Sequence, residues 1–369
     1  MEKMKVLFLS RKDYLSSPGG DTVQMLKTQE ALRVLGVEVD VTLETTPDLT
    51  QYDLVHLFNI QHAPEALLQL RNAKEQKKPV AVSTIYWDLR HIYKEPDFFH
   101  YHKFGIVRIL AKFWWRLPQA LFPIIRMPRQ RTFREMLSRS DLLLPNSVAE
   151  AEHIALIFDR PEFRAKMRVV PNGVSENELN VSGAETEISI SRHYNLPQRY
   201  VLQVGRIEYL KGQLKLINAL ADYPDIPLVF VGRDNQHHYY KECRRSGTLR
   251  GATWFIDEIP HDRLPELYRN AAVHVLPSLR ESPGLVTLEA ALYQTNCVVS
   301  IHGPVMEYFG DTVWYCNPAK TTSIREAVIA AWNSPYQDDL RKMILQNFTW
   351  EVAARKTLDA YEWLLEQRS

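Results

Sequence analysis

The chain has 369 residues, 45% of them hydrophobic and 24% charged, with a formal net charge of +1. That length exceeds one ordinary core and predicts two domains, while the near-zero charge argues against a general nucleic-acid binder. Cys243, Cys297 and Cys316 are odd in number and widely spaced, which excludes a disulfide framework and a paired-cysteine metal site and fits a reducing cytosol.

The opening Met1 to Lys5 leads directly into an apolar strand and lacks the long apolar region of a signal peptide. No stretch is apolar and charge-free for the length of a membrane span. The expected location is cytoplasmic, with peripheral contact to a membrane left open.

Lys5 to Ser10 reads as a buried-type strand, followed by the loop Pro18-Gly19-Gly20-Asp21 and a helical pattern through Leu35. Strand, glycine loop and helix in that order begin a doubly wound α/β unit. Gly19-Gly20 reads equally as a tight turn and as an anion or sugar contact. Glu38 to Leu43, Leu54 to Phe58 and Val80 to Thr84 are further strands, with a helix over Pro64 to Gln76. Such alternation predicts a parallel sheet with functional residues on the loops after its strands. Asn59 and His62 follow one strand; Tyr86, Trp87 and Asp88 follow the next. Each of these, taken singly, is more often structural than catalytic.

Residues 103–139 break the pattern. Lys103, Arg108, Lys112, Arg116, Arg126, Arg129, Arg131, Arg134 and Arg139 stand against the single acid Glu135. Arg108, Lys112 and Arg116 share one helical ridge, opposite Ile106, Val107, Leu110, Phe113 and Trp114. A basic face against an apolar, aromatic one suits an anionic membrane surface; the plainer reading is an amphipathic helix packed on its own domain. Pro118, Pro123 and Pro128 are expected to split the segment into short pieces.

Leu142 to Pro145 is a strand and Ser147 a helix cap. Val169 to Val174 reads as a strand ending in an Asn-Gly turn, and the polar, acidic run to Pro197 as a linker. The alternation then restarts. Strands are expected at Tyr200 to Val204, Leu228 to Val231, Thr253 to Ile256, Val273 to Leu276 and Val298 to Ser300, with helices to Leu220 and over Leu264 to Asn270.

The stretch Arg280 to Ser300 carries the most chemistry. Leu285, Val286, Leu288, Ala291 and Leu292 recur at helical spacing, with Pro283 and Gly284 at the helix start and Glu281 and Glu289 on either side of it. Pro283 is expected in the first helical turn, where its missing N–H costs nothing. The free amides of Gly284, Leu285 and Val286 can hold a phosphate or a sugar oxygen. Two carboxylates flanking such a helix start suit a nucleotide sugar. Taken alone, the pair is equally compatible with a surface acid and a helix-dipole partner. Arg206 and Lys211, after the strand ending at Val204, are able to converge on one anion such as a diphosphate, and that addition favours the functional reading.

Val-Val-Pro-Asn-Gly-Val at 169–174, Val-Gly-Arg-(x)4-Lys-Gly at 204–212 and Glu-Ser-Pro-Gly-Leu-(x)3-Glu-Ala at 281–290 resemble the family-4 glycosyltransferases of the GT-B fold. The resemblance covers nearly the whole chain, including the closing Phe348-Thr349-Trp350-Glu351. It implies an α/β fold of two Rossmann-like doubly wound domains facing a cleft. The boundaries are an acceptor domain at 1–175, a linker at 176–197, a nucleotide-sugar domain at 198–345, and a helix at 346–369 that crosses back to the first domain.

The resemblance also assigns roles. Arg206 and Lys211 hold the donor diphosphate, Gly205 lies on their loop, Glu281 takes the donor sugar's hydroxyls and Glu289 the ribose. Gly284, Leu285 and Val286 form an amide cradle, Gly20 approaches the diphosphate from the other domain, and Ile259 meets the base through its backbone. Arg206, Lys211 and Glu281 are the catalytic set, acting by electrostatics in a retaining transfer without a bound metal or other cofactor. The donor is a UDP- or GDP-linked sugar. Where many relatives place a histidine near the sugar, this chain reads Tyr86-Trp87-Asp88, with His91 three residues further on; Tyr86, Asp88 and His91 are therefore the sugar or acceptor candidates.

The expected acceptor is a glycan or lipid-linked sugar, as in bacterial surface polysaccharide synthesis, with an anionic membrane surface engaged through 103–139 and no nucleic acid. A soluble transferase or phosphorylase with a small acceptor is the alternative, and a non-catalytic nucleotide-sugar-binding subunit a further one.

Overall fold

The structure is a computed structural model, and it describes residues 3–12, 14–15, 19–87, 122–175, 189–336 and 338–368. These divide into two compact units: residues up to 87, 122–173 and 348–368 form the first, and 174–347 the second.

The first unit is a parallel sheet of β1 (Lys5–Leu9), β2 (Glu38–Thr42), β3 (Leu54–Phe58), β4 (Val80–Ser83) and β5 (Leu142–Leu144), in the order β2-β1-β3-β4-β5. Its helices are α1 (Gly20–Val34), α2 (Ala63–Glu75), α3 (Phe122–Arg139) and α4 (Val148–Phe158). Every residue of β3, β4 and β5 is buried, as continuous apolar strands covered on both faces require.

Two expectations fail here for visible reasons. Pro123 and Pro128 do not split the 122–139 segment: Pro123 lies in the first turn, and α3 continues through Pro128. The helical bond lost at Pro128 is offset by the following turns, which pack on α2 and bury Phe133, Met136 and Leu137. Nor is 169–174 a ladder strand. Arg168 and Val170 donate to the Leu143 and Pro145 carbonyls, but Pro171 has no N–H to continue.

Gly173 instead ends against backbone. A Cβ there would stand 2.3 Å from the Thr349 carbonyl carbon and 2.6 Å from the Trp350 nitrogen, so only glycine lets the chain pass this close. Thr349 caps the helix Trp350–Glu366 by accepting from the Val352 N–H. That helix packs on α1 in the first unit. Its Tyr361 hydroxyl meets His56 Nδ1 at 2.6 Å, while His56 Nε2 meets Ser83 Oγ at 3.0 Å, so the helix is tied to the middle of the sheet.

The second unit opens with α5 (Ile190–His193), which falls inside the stretch expected as linker and is held by the Glu266 carboxylate, accepting from Ser189, Ile190 and Ser191. Its parallel sheet is β6 (Tyr200–Val204), β7 (Leu228–Val231), β8 (Thr253–Ile256), β9 (Ala271–Leu276), β10 (Asn296–Ser300) and β11 (Trp314–Cys316), in the order β11-β10-β9-β6-β7-β8. Around it lie α6 (Gln213–Ala219), α7 (His237–Arg250), α8 (Leu264–Asn270), α9 (Leu285–Leu292), α10 (Val305–Phe309), α11 (Thr321–Asn333) and α12 (Asp339–Asn347). Cys243, Cys297 and Cys316 are buried free thiols.

Counted from β6, this is the doubly wound order 3-2-1-4-5-6, which reverses direction between β6 and β9. A crevice outside the carboxyl ends of those two strands is where such a sheet binds its ligand. The loops there are 205–212 and 277–284.

Candidate active site

The two loops are locked to each other. The Leu279 N–H donates to the Leu210 carbonyl. Within the first loop, Gln203 Nε2 holds the Lys211 carbonyl at 2.7 Å and Gln213 Nε2 the Arg206 carbonyl at 2.9 Å. The backbone carrying both cations is therefore fixed by amide side chains.

Lys211 Nζ lies 2.5 Å from Glu281 Oε1, with side-chain exposures of 20% and 9%. Arg206 Nη2 reaches Glu208 Oε1 at 3.2 Å while its own side chain stays 46% exposed. The other Glu208 oxygen accepts from Asn235 Nδ2 at 2.5 Å. Here each cation is held by its own carboxylate rather than both by one anion, and Glu208 is the acid that positions Arg206. Motif spacing treats residue 208 as filler between Arg206 and Lys211; its burial is what separates it from a spacer.

The helix α9 begins after Gly284 (φ +91°), so Pro283 lies outside the first turn where it was expected; the Ser282–Pro283 bond is cis. Thr287 N–H closes on the Gly284 carbonyl, leaving the Gly284, Leu285 and Val286 amides at the start of the helix, where intrahelical acceptors are lacking. The Ser282 and Thr287 hydroxyl oxygens are buried beside that start, with no hydrogen-bond partner among the described residues. Gly303, after β10, closes behind Glu281: a Cβ there would stand 2.6 Å from the Glu281 carbonyl oxygen.

Glu289, in the second turn of α9, accepts from the Tyr268 hydroxyl at 3.0 Å and sits 3.0 Å from His261 Nε2. Burial, with the Glu289 charge adding to it, pushes the Tyr268 phenol well above its ordinary value, so it remains a donor. Neither partner is visible from the Glu-(x)7-Glu spacing. Ile259 is half-buried on the loop leading to His261.

The second unit thus brings Gly205, Arg206, Lys211, Glu281, Gly284, Leu285, Val286 and Glu289 to the carboxyl end of its sheet, on the loops after β6 and β9 and the first two turns of α9. In the first unit, Gly20 is the first residue of α1, with Gly19 as its cap. Asp21 beside it accepts from Arg11 Nε and Asn59 Nδ2, each at 3.1 Å.

Tyr86 is a correction. It is a buried core ring among Phe133, Phe158 and His153, and its N–H donates to the buried Glu150 carboxylate at 2.7 Å. The backbone turns at Ile85 (φ +45°) and sends the ring into that core. Asp88 and His91 lie outside the described residues, as do 103–121 of the basic segment. Among the described residues no cluster of histidine, cysteine and acidic side chains could hold a metal ion, and no helix is long and apolar enough to cross a membrane.

The family model described as "Glycosyl transferases group 1" matches residues 185–348, nearly the whole of the second unit. An uncharacterised glycosyltransferase of Methanocaldococcus jannaschii is 29% identical over 230 residues, 58% of each chain. The chain spans a little over half the length of the first curated relatives that it matches.

Among solved structures, sucrose-phosphate synthase from Thermosynechococcus elongatus superposes with a TM-score of 0.72 at 18% identity, covering 99% of this chain and 100% of that one. Anabaena HepE in complex with UDP-glucose gives 0.70 at 17% identity over 97% and 99%. At such identities the likeness is one of fold: two Rossmann-like parallel sheets of the α/β GT-B class.

Proposed function

We propose that the protein is a retaining glycosyltransferase that moves a sugar from a nucleotide-sugar donor to a glycan or lipid-linked acceptor. The observation that carries this reading is the pairing of Glu281 with Lys211 at the mouth of α9, with Glu289 one helical turn further along. Diphosphate oxygens meet the Gly284, Leu285 and Val286 amides and the buried hydroxyls of Ser282 and Thr287. Arg206 and Lys211 neutralise the negative charge that grows on the leaving diphosphate, so the cost of breaking the anomeric C–O bond falls. The acceptor oxygen forms the new bond on the same face, and its proton passes to the leaving phosphate oxygen. Glu281 orients the sugar through its hydroxyls, and Glu289 takes the ribose.

The amide and cation set supplies the electrostatics without a metal, and we infer metal-independent transfer. The UDP-glucose bound by Anabaena HepE supports a uridine donor as the first to try. On the acceptor side, the basic aromatic run 103–139 supports a cytoplasmic enzyme working at an anionic membrane face, in surface polysaccharide assembly.

The test is nucleotide release from a panel of UDP-, GDP- and ADP-sugars, with and without detergent-solubilised membrane lipid. Lipid-dependent release from one donor is expected. Release without lipid would move the acceptor to a soluble sugar, and nucleotide binding without release from any donor would overturn the enzymatic reading.

A further inference from the structure

The two oxygens of Glu289 are held in different ways. Oε2 accepts from Tyr268, a fully buried ring stacked on Tyr293 at a centroid distance of 5.8 Å. Oε1 faces His261 Nε2, whose side chain is 51% exposed on the short turn His261–Arg263, whereas the Glu289 side chain is only 10% exposed. One hydrogen bond is therefore sealed in the core, and the other lies where the carboxylate meets solvent. Water already competes for the outer bond, so exchanging it for a ligand bond costs little; the sealed bond has no such exchange.

We propose that His261 is a specificity-determining residue of the donor site, sharing with Glu289 the recognition of two adjacent hydroxyls on the nucleotide ribose. The inference rests on the nucleotide-sugar reading above. Nε2 and Oε1 stand 3.0 Å apart, a separation that suits two neighbouring hydroxyl oxygens. On binding, one hydroxyl donates to Oε1 in place of the imidazole, and the imidazole turns to the other hydroxyl, as donor or acceptor according to its tautomer. A ribose lacking one hydroxyl leaves one of these groups unpaired beside a desolvated carboxylate, which is how a polar site rejects the deoxy analogue. The turn carries His261 two residues after Ile259, so base and ribose contacts lie on one short piece of backbone.

The test is calorimetric binding of UDP, GDP and ADP, and of their 2′-deoxy and 3′-deoxy counterparts, to the wild type, His261→Ala, His261→Gln and Glu289→Gln. The wild type is expected to prefer the ribonucleotide. His261→Ala is expected to weaken ribonucleotide binding roughly 5–10-fold, the worth of about one hydrogen bond, and deoxynucleotide binding least, so that discrimination collapses; His261→Gln restores part of it. An unchanged ribo-to-deoxy ratio in His261→Ala overturns the inference, as does tighter ribonucleotide binding, which would make His261 only a plug. Loss of discrimination in Glu289→Gln with none in His261→Ala sinks this inference alone. A wild type that binds no nucleotide takes down the donor reading together with it.

Discussion

Lys211 Nζ and Glu281 Oε1 meet at 2.5 Å across 70 positions of sequence. The pair joins the loop after β6 to the loop after β9, the two strands between which the sheet order reverses. On the proposed function, a cation for phosphate and a carboxylate for sugar hydroxyls neutralise each other until the donor arrives. Removing the lysine strands a carboxylate whose side chain is only 9% exposed. Lys211→Ala is therefore expected to lose about 3–5 kcal/mol of stability, the usual cost of leaving one partner of a buried ion pair uncompensated, and roughly 10²–10³ in kcat. Urea melts and initial rates check the two. Unchanged stability would mean that the ion pair does not hold the loops.

Glu281 and Glu289 are expected to separate in kinetics. If Glu281 works at the reacting sugar, Glu281→Gln lowers kcat by roughly 10² or more. If Glu289 binds only the ribose, Glu289→Gln raises the donor KM by about tenfold with kcat nearly intact. Equal kcat losses in both variants would contradict the division of roles.

Gly303 and Gly173 are both close-approach glycines, with different consequences. Gly303→Ala pushes a methyl toward the Glu281 carbonyl from a backbone φ of +96°, and is expected both to destabilise the protein and to weaken donor binding. Gly173→Ala pushes one into the Thr349–Trp350 peptide and is expected to destabilise the protein by about 1–3 kcal/mol, as overpacking does. Nucleotide titration distinguishes the two; weakened donor binding in Gly173→Ala with none in Gly303→Ala would reverse the assignment.

Acid should weaken the fold through two buried histidines. Burial holds His56 and His274 down to about 3, against an ordinary value of 6.5. Among the described residues, neither ring nitrogen of His274 has a hydrogen-bond partner. Because the folded-state value is the lower one, the unfolded chain binds protons first. Stability is then fully present above the unfolded value and is lost as pH falls from there toward the folded one. The expected slope is up to about 1.4 kcal/mol per pH unit for each histidine. Urea midpoints compared at about pH 7 and about pH 5.5 measure it, and His274→Phe should flatten the dependence. A dependence unaltered in that variant would point to other groups.

Much of the second unit was legible because its signals are local. The apolar spacing from Leu285 to Leu292 predicts α9, and strand-loop alternation places Arg206, Lys211 and Glu281 after strands. What stayed hidden was set by long-range partners. Glu208 becomes a positioning acid only through Asn235, His261 acquires meaning only through Glu289, and Glu266 recruits 189–191 into a turn within a polar stretch. Tyr86 misled for the complementary reason: its place after a strand pointed to a site, yet the turn at Ile85 delivers the ring to an aromatic core. Pro128 and Pro171 show that proline is a firm signal in an extended segment and a weak one in a helix with tertiary support.

The helix over 350–366 completes a sheet that begins at Lys5, with His56 and Tyr361 separated by 305 positions. During synthesis, α1 and the face of β3 that carries His56 must therefore wait, uncovered, while all of 174–347 is made. The second unit can close on local contacts as it emerges, but the first cannot. A ribosome that stalls before residue 350 leaves behind a finished second unit attached to an open, aggregation-prone sheet, the species that a chaperone would be expected to hold.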